Sequence, residues 1–348
     1  MHNKQIQTVL STTAKTSPFT VSENLTEFER SVKSSATPDY IVESTTSSSR
    51  EVRDEKQKSA RMIVIVYNRP RSLQKCLDAL NDVFYDNDSI LLDIWIDRSV
   101  EGVLDAETKA VAEKFVFKHG IKTVHLQKEH VGIYGQWIDT WYPDENSEEI
   151  AVIIEDDMTL APCFYRWIKM AHQMYDKRDD IAGYALQSDP KCASTKCYWK
   201  YVNVSQDHPV YLYKRHSTWG YSPHAKTWRQ FVDWFHEKRK DPSFRPLVGG
   251  LISSRWWKGF EKSNRTHTMW EQWHTYFINH HKLYTLYANL KSDRVLATNR
   301  QEGGLHFHHK VDVVAEDRLW NHSCDTDELL FPEQPIKLSW DMKIMDEH

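Results

Sequence analysis

Long apolar runs are missing. No stretch of about 20 consecutive apolar residues, the length of a membrane-spanning helix, occurs in the 348-residue chain, and the N-terminus has no signal-like apolar core. As written, the chain therefore reads as soluble, and its compartment stays open between the secretory pathway or Golgi lumen, if an upstream anchor was lost, and the cytoplasm. Strong charge of either sign is also missing. A formal net charge of -4 argues against a general nucleic-acid binder, which carries a basic stripe, and against an acidic tail protein. Neither Gly-x-Gly-x-x-Gly after the first strand nor a Walker A sequence is present, which disfavours dinucleotide oxidoreductases and P-loop NTPases. Cysteines number only five, Cys76, Cys163, Cys192, Cys197 and Cys324, too scattered for a disulfide scaffold or a zinc site. Cys192 and Cys197 could close a small loop in an oxidising compartment, and the odd count leaves at least one free thiol.

Aromatic residues, by contrast, are plentiful: fourteen Trp, sixteen Tyr and thirteen Phe. Most are expected in the core, and the remainder suit a groove whose faces meet sugar rings, bases or cations. Sequons at Asn24, Asn87, Asn203, Asn264 and Asn321 hint at a secretory route. Residues 1–60 are rich in Ser, Thr, Glu and Lys and sustain no helical or strand period, so they read as a disordered segment or stalk.

From residue 61 the pattern changes. Met62-Ile63-Val64-Ile65-Val66-Tyr67 reads as a buried strand that stops at Asn68-Arg69-Pro70; a helix over 71–80 follows, then a strand over 91–96 ending in Asp97, a helix over 106–117 and a strand over 122–126. Strands and helices alternating at this spacing predict an α/β fold with a mostly parallel sheet flanked by helices. Ile150-Ala151-Val152-Ile153-Ile154 is a further buried strand, and it runs straight into Glu155-Asp156-Asp157. Ligands of open α/β sheets bind just outside the carboxyl ends of the strands. Packing does not call for three adjacent carboxylates there, and a hard divalent cation together with substrate phosphates would relieve their repulsion.

Later segments add candidates. Trp219 and Tyr221 flank Gly220, which allows close backbone approach, so these three are expected either to pack or to touch an acceptor. Glu271 opens a helix; it could complement the helix dipole or serve as a general base. Gly303-Gly304 followed by three His in four residues, His306, His308 and His309, marks a tight loop able to offer a single imidazole to a metal shell begun by Asp157. The tail after about Leu319, with Trp320, Trp340 and the run Leu329-Leu330-Phe331-Pro332, is expected to pack back on the domain.

Taken together, strand-Asn68-Arg69-Pro70-helix, strand-Asp97, strand-Glu155-Asp156-Asp157, Trp219-Gly220, Glu271 and the late Gly-Gly-x-His resemble a GT-A glycosyltransferase, a Rossmann-like nucleotide-diphospho-sugar transferase. The likeness is to the inverting N-acetylglucosaminyltransferase I type and family 2-like enzymes, over about residues 61 to 310. The resemblance implies a domain over 61–320, with a nucleotide-sugar half (61–160) and an acceptor half (161–320), followed by a tail (321–348). It implies transfer of a hexosyl or N-acetylhexosaminyl group from a UDP-sugar to a hydroxyl of a glycan or other acceptor, with Mn²⁺ or Mg²⁺. By that likeness Arg69 and Asp97 hold the uridine, Glu155 and Asp156 contact ribose or sugar hydroxyls, Asp157 and His306 bind the metal, and Glu271 is the base. Arg255, Lys258 and Lys262 are candidates for a loop over the diphosphate. The competing readings are a glycoside hydrolase, which needs two carboxylates flanking the bond but no nucleotide site, and a non-catalytic carbohydrate-binding protein.

Overall fold

The structure is a computed structural model that describes residues 60–187, 191–198, 200–201, 203–300, 302, 318–321, 324 and 329–345. The disordered or stalk segment expected over 1–60 lies outside them except for Ala60, and so do Gly303, Gly304 and His306.

Strand β1 (Ala60–Val66) and helix α1 (Pro70–Asn81) form the first unit; Pro70 at the helix start costs nothing because the first-turn N–H has no intrahelical partner. Strand β2 (Ile90–Ile96), helix α2 (Ala106–Lys114) and strand β3 (Gly120–Leu126) continue the alternation, and Asp105 caps α2 by accepting from the Thr108 N–H at 2.8 Å. Helix α3 (Gly132–Ile138) leads to β4 (Ile150–Glu155), and the triplet turns directly into β5 (Met158–Leu160). Helix α4 (Phe164–Tyr175), strands β6 (Ile181–Ala185), β7 (Val210–Tyr213) and β8 (Tyr221–Pro223), and helices α5 (Ala225–Lys238), α6 (Ile252–Lys262) and α7 (Glu271–His280) follow; β9 (Tyr284–Ala288), β10 (Ala297–Asn299) and β11 (Ile336–Leu338) complete the described elements.

Nine strands share one sheet in the order β11-β7-β9-β6-β8-β4-β1-β2-β3. Pairs β1–β2, β1–β4, β2–β3, β6–β9 and β7–β11 are parallel, whereas β8 lies antiparallel between β4 and β6, and β7 antiparallel to β9. The expected α/β architecture with a mostly parallel sheet is thus present, and β8 joins the two proposed halves in one sheet. Both faces are covered, which is why 62–66 of β1 and 150–154 of β4 are continuously apolar instead of alternating. Met62, Val64 and Val66 pack with α1 and α4 on one face, while Ile63 and Ile65 pack with α3, α5 and α7 on the other.

One local expectation, the basic loop, is corrected, while the small Cys192–Cys197 loop and the free thiol are as expected and Cys163–Cys324 adds a pair not expected from sequence. The stretch holding Arg255, Lys258 and Lys262 is the amphipathic helix α6, which buries Ile252, Ser254 and Trp257 and exposes the three basic residues. Two disulfides form, Cys163–Cys324 and Cys192–Cys197, leaving the buried Cys76 as the free thiol. The C-terminal segment does pack back: Phe331 lies 5.9 Å from Trp167 between ring centroids, and Trp320 is buried. Among the described residues no helix is long and apolar enough to cross a membrane.

Candidate active site

Register decides which side chains meet. Ile65 pairs with Trp95 on one side and with Glu155 on the other, so Asp97 and Asp157 each stand two residues beyond the same level at the carboxyl edge. Arg69 reaches that edge from the residue before α1. A cavity of about 1210 Å³ opens over it, lined by Tyr67, Arg69, Asp97, Glu155, Asp156, Asp157, Trp219 and, from the opposite wall, Trp270, Glu271 and Trp273. Seven of the ten residues proposed from sequence for donor, metal, catalytic or acceptor roles therefore line one space: Arg69, Asp97, Glu155, Asp156, Asp157, Trp219 and Glu271.

The triplet is held from several directions. Arg69 Nε donates to Asp156 Oδ2 at 2.9 Å, its second terminal nitrogen donates to Asp156 Oδ1, and Nη1 donates to Asp157 Oδ2 at 3.1 Å. Arg300, 5% exposed, donates to the backbone carbonyls of Asp156 at 2.6 Å and Met158 at 2.6 Å, which fixes the turn between β4 and β5. Asn299 Nδ2 donates to Asp157 Oδ1 at 3.0 Å. Trp137 Nε1 donates to Glu155 Oε1 at 2.8 Å, and the same indole stacks on Trp270 at 4.4 Å, the residue that precedes Glu271. Trp137 thereby ties the acidic turn to the start of α7.

Desolvation governs the protonation of these acids. Burial pushes Glu155 up to about 8, reinforced by the neighbouring Asp157 charge and opposed by the Trp137 N–H and Arg69. Burial also lifts Asp156 to about 7 against the pull of Arg69. Glu271 is lifted by burial to about 7, with a backbone hydrogen bond and Arg215 opposing. A half-buried carboxylate near pH 7 suits a group that must accept a proton from a hydroxyl.

Several expected contacts fall elsewhere. Asp97 lines the cavity, but its two oxygens accept the backbone N–H groups of Val131 at 3.0 Å and Gly132 at 2.9 Å, anchoring the entry to α3. Asp156, expected on donor hydroxyls, has both oxygens on Arg69 and is 2% exposed, so it positions the guanidinium. Tyr221, expected to meet an acceptor, is fully buried in β8, its ring 4.2 Å from that of His216. Gly220 is buried and does not line the cavity; its φ of 79° and the approach of Leu186 account for the glycine. His306 lies outside the described residues.

Sequence patterns gave little sign of the far wall. Phe244, Trp257 and Trp273 build it, with Arg239 and Arg245 at its edge; they sit on and between helices whose aromatic spacing reads as core. Eight carboxylates line the whole cavity against three arginines, Arg69, Arg239 and Arg245, so its field favours a cation. Among the described residues no group of three or more His, Cys, Asp and Glu side chains could hold a metal alone. A second constellation, Ser222–His172–Asp176, has relay distances of 2.8 and 2.9 Å. It is no nucleophile: Ser222 is fully buried and donates to the Ala151 carbonyl at 2.6 Å.

No protein-family model matches the chain, and no curated protein matches it. Among solved structures it is similar to the mannosyltransferase PcManGT from Pyrobaculum calidifontis in complex with GDP-Man and Mn²⁺, with a TM-score of 0.30 and 16% identity. That neighbour is a glycosyltransferase. The overlap covers 38% of this chain and 36% of that one, little more than a third of either.

Proposed function

We propose that the protein is a metal-dependent inverting glycosyltransferase of GT-A type that moves a sugar from a UDP-sugar to a hydroxyl of a glycan or other acceptor. One observation carries the reading: Asp157, at the carboxyl edge of the sheet, and Glu271, at the start of α7, line the same cavity with Arg69, Asp97 and Trp219.

The residues present fit a divalent cation. Asp157 lines the cavity and accepts one bond on each oxygen, from Arg69 and Asn299, which leaves a lone pair on each for a hard cation of the kind Mg²⁺ and Mn²⁺ are. One protein carboxylate suffices where substrate phosphates supply further oxygens. Asp157, with His306 as the proposed second ligand, would hold the ion, which when bound neutralises charge on the leaving diphosphate. The chain's own residues supply the rest. Arg69 keeps two N–H groups beyond its three bonds to the triplet and can present them to the nucleotide. Trp219 offers an indole surface at the cavity wall. Glu271, ionised above about pH 7, takes the proton from the acceptor hydroxyl as its oxygen attacks the anomeric carbon from the face opposite the leaving group. A single base without a covalent nucleophile gives inversion.

Calorimetric titration with UDP, with and without Mn²⁺, tests the reading. Metal-dependent UDP binding that disappears in Asp157→Ala is expected. Absence of UDP binding together with release of free sugar from a glycan would establish a glycoside hydrolase in its place.

A further inference from the structure

Asn203 stands in Asn203-Val204-Ser205, just beyond a loop closed by the Cys192–Cys197 disulfide. The arms of that loop meet at the Lys191–Tyr201 bridge, and the Cys192 N–H donates to the Lys200 carbonyl at 2.9 Å. The chain then runs through exposed Asn203 to Val204, which is buried, and Ser205, whose carbonyl accepts from Asn289 Nδ2 at 3.0 Å. Asn203 is thus presented at the surface beside two anchored residues, and its side chain makes no hydrogen bond to another described residue. The other described sequon asparagines, Asn87, Asn264 and Asn321, are exposed too, whereas of the six remaining described asparagines only Asn68 and Asn146 are. Asn264 borders the cavity, where an attached glycan would stand in the path of substrate; Asn203 does not line it.

The cysteines point to the same chemistry from an independent direction. Four of five are paired, and Cys163–Cys324 joins the start of α4 to the C-terminal segment across 161 residues. Stable protein disulfides belong to oxidising compartments, the same ones in which Asn-x-Ser/Thr is modified.

We propose that Asn203 is an acceptor for N-linked oligosaccharide and that both disulfides form in the same oxidising secretory compartment. In the modification, the Asn203 amide nitrogen bonds to the anomeric carbon of an oligosaccharide carried on a polyprenyl diphosphate. The carbon–oxygen bond to the diphosphate breaks, the lipid diphosphate leaves with the electron pair, and the amide proton goes to the transferase base. Each disulfide forms by exchange with an oxidised dithiol protein, which takes up the two electrons and two protons.

Two measurements on the full chain decide the matter. The chain purified from the cells that make it is digested, treated with peptide N-glycosidase in heavy-oxygen water and mapped; label at residue 203 is expected, and an unmodified Asn203 overturns the glycan assignment. The chain directed into the endoplasmic reticulum of cultured cells is compared with Asn203→Gln in total lysate and medium, so that retained protein is read as well. Loss of one glycosidase-sensitive mobility step in the variant is expected, and equal mobility overturns the assignment. Alkylation of the same wild-type protein, denatured without reductant, should label Cys76 alone; more than one labelled cysteine overturns the disulfide half.

Discussion

Arg69 grips Asp156 through both carboxylate oxygens, and a third N–H reaches Asp157. Removing the guanidinium leaves two buried carboxylates with Arg300, which binds the Asp156 backbone carbonyl, as the remaining nearby cation. Arg69→Ala is therefore expected to lose about 3 kcal/mol of stability in denaturant unfolding of the metal-free protein. Arg69→Lys should recover less than half of that, because an ammonium cannot bridge both oxygens in one plane. Full recovery by Lys would mean that charge alone matters at this position.

Glu271 is raised by burial to about 7, so it acts as a base only above that pH. For transfer, kcat/KM, which reports the ionisation of the free enzyme, should rise with pH through about 7 and then level. Glu271→Gln is expected to lower kcat by roughly 10²–10⁴-fold while UDP affinity, read by calorimetry, stays within a factor of two or three. A variant that keeps wild-type kcat would remove Glu271 from the mechanism.

Glu155 gives a different pH signature. Its carboxyl stands at about 8 in the fold against an ordinary 4.5, so its protonated form is favoured by folding. That contribution is complete below about pH 4.5 and is lost as pH rises through 8. Glu155→Gln keeps an acceptor for Trp137 Nε1 and cannot ionise. Metal-free Glu155→Gln should therefore gain stability on the wild type at pH 9 by about 1–3 kcal/mol and match it near pH 4, as measured by thermal or denaturant unfolding. Parallel curves at both pH values would contradict the assigned shift.

Much of this site is legible in the chain because strand ends are. Apolar runs with abrupt polar endings place Arg69, Asp97 and Glu155-Asp156-Asp157 before any tertiary contact is known, and parallel pairing puts such endings at one edge. What each carboxylate touches is not legible. The partner of Asp156 lies 87 residues upstream, and the N–H groups that occupy Asp97 belong to a helix start more than 30 residues on. Tyr221 and Gly220 mislead for a related reason: the three-residue β8 inserts antiparallel between β4 and β6, so a segment that reads as a loop beside a ligand is buried in the sheet. Helix α6 hides its helical period behind Arg255, Lys258 and Lys262, which invite a reading by charge, although its apolar face is what fixes it. Disulfide pairing across 161 residues has no local signal either.

Gly220 supplies a check on that correction. A Cβ there would lie 2.6 Å from Leu186 Cδ1, on a backbone with φ of 79°. Gly220→Ala should cost about 1–3 kcal/mol from the left-handed backbone and the displaced leucine, with the KM for an acceptor changed less than twofold. A large rise in acceptor KM at unchanged stability would return Gly220 to the ligand side.

The central claim concerns Asp157 and a nucleotide-sugar donor. UDP release from a panel of UDP-sugars, with GDP-sugars as a control and a mixture of glycan acceptors present, is to be measured for the wild type and Asp157→Ala with Mn²⁺ and with chelator. The account predicts acceptor-dependent UDP release by the wild type with Mn²⁺, and background release both with chelator and in Asp157→Ala. Release that is unchanged by chelator and by Asp157→Ala, or no release from any UDP-sugar, would contradict it.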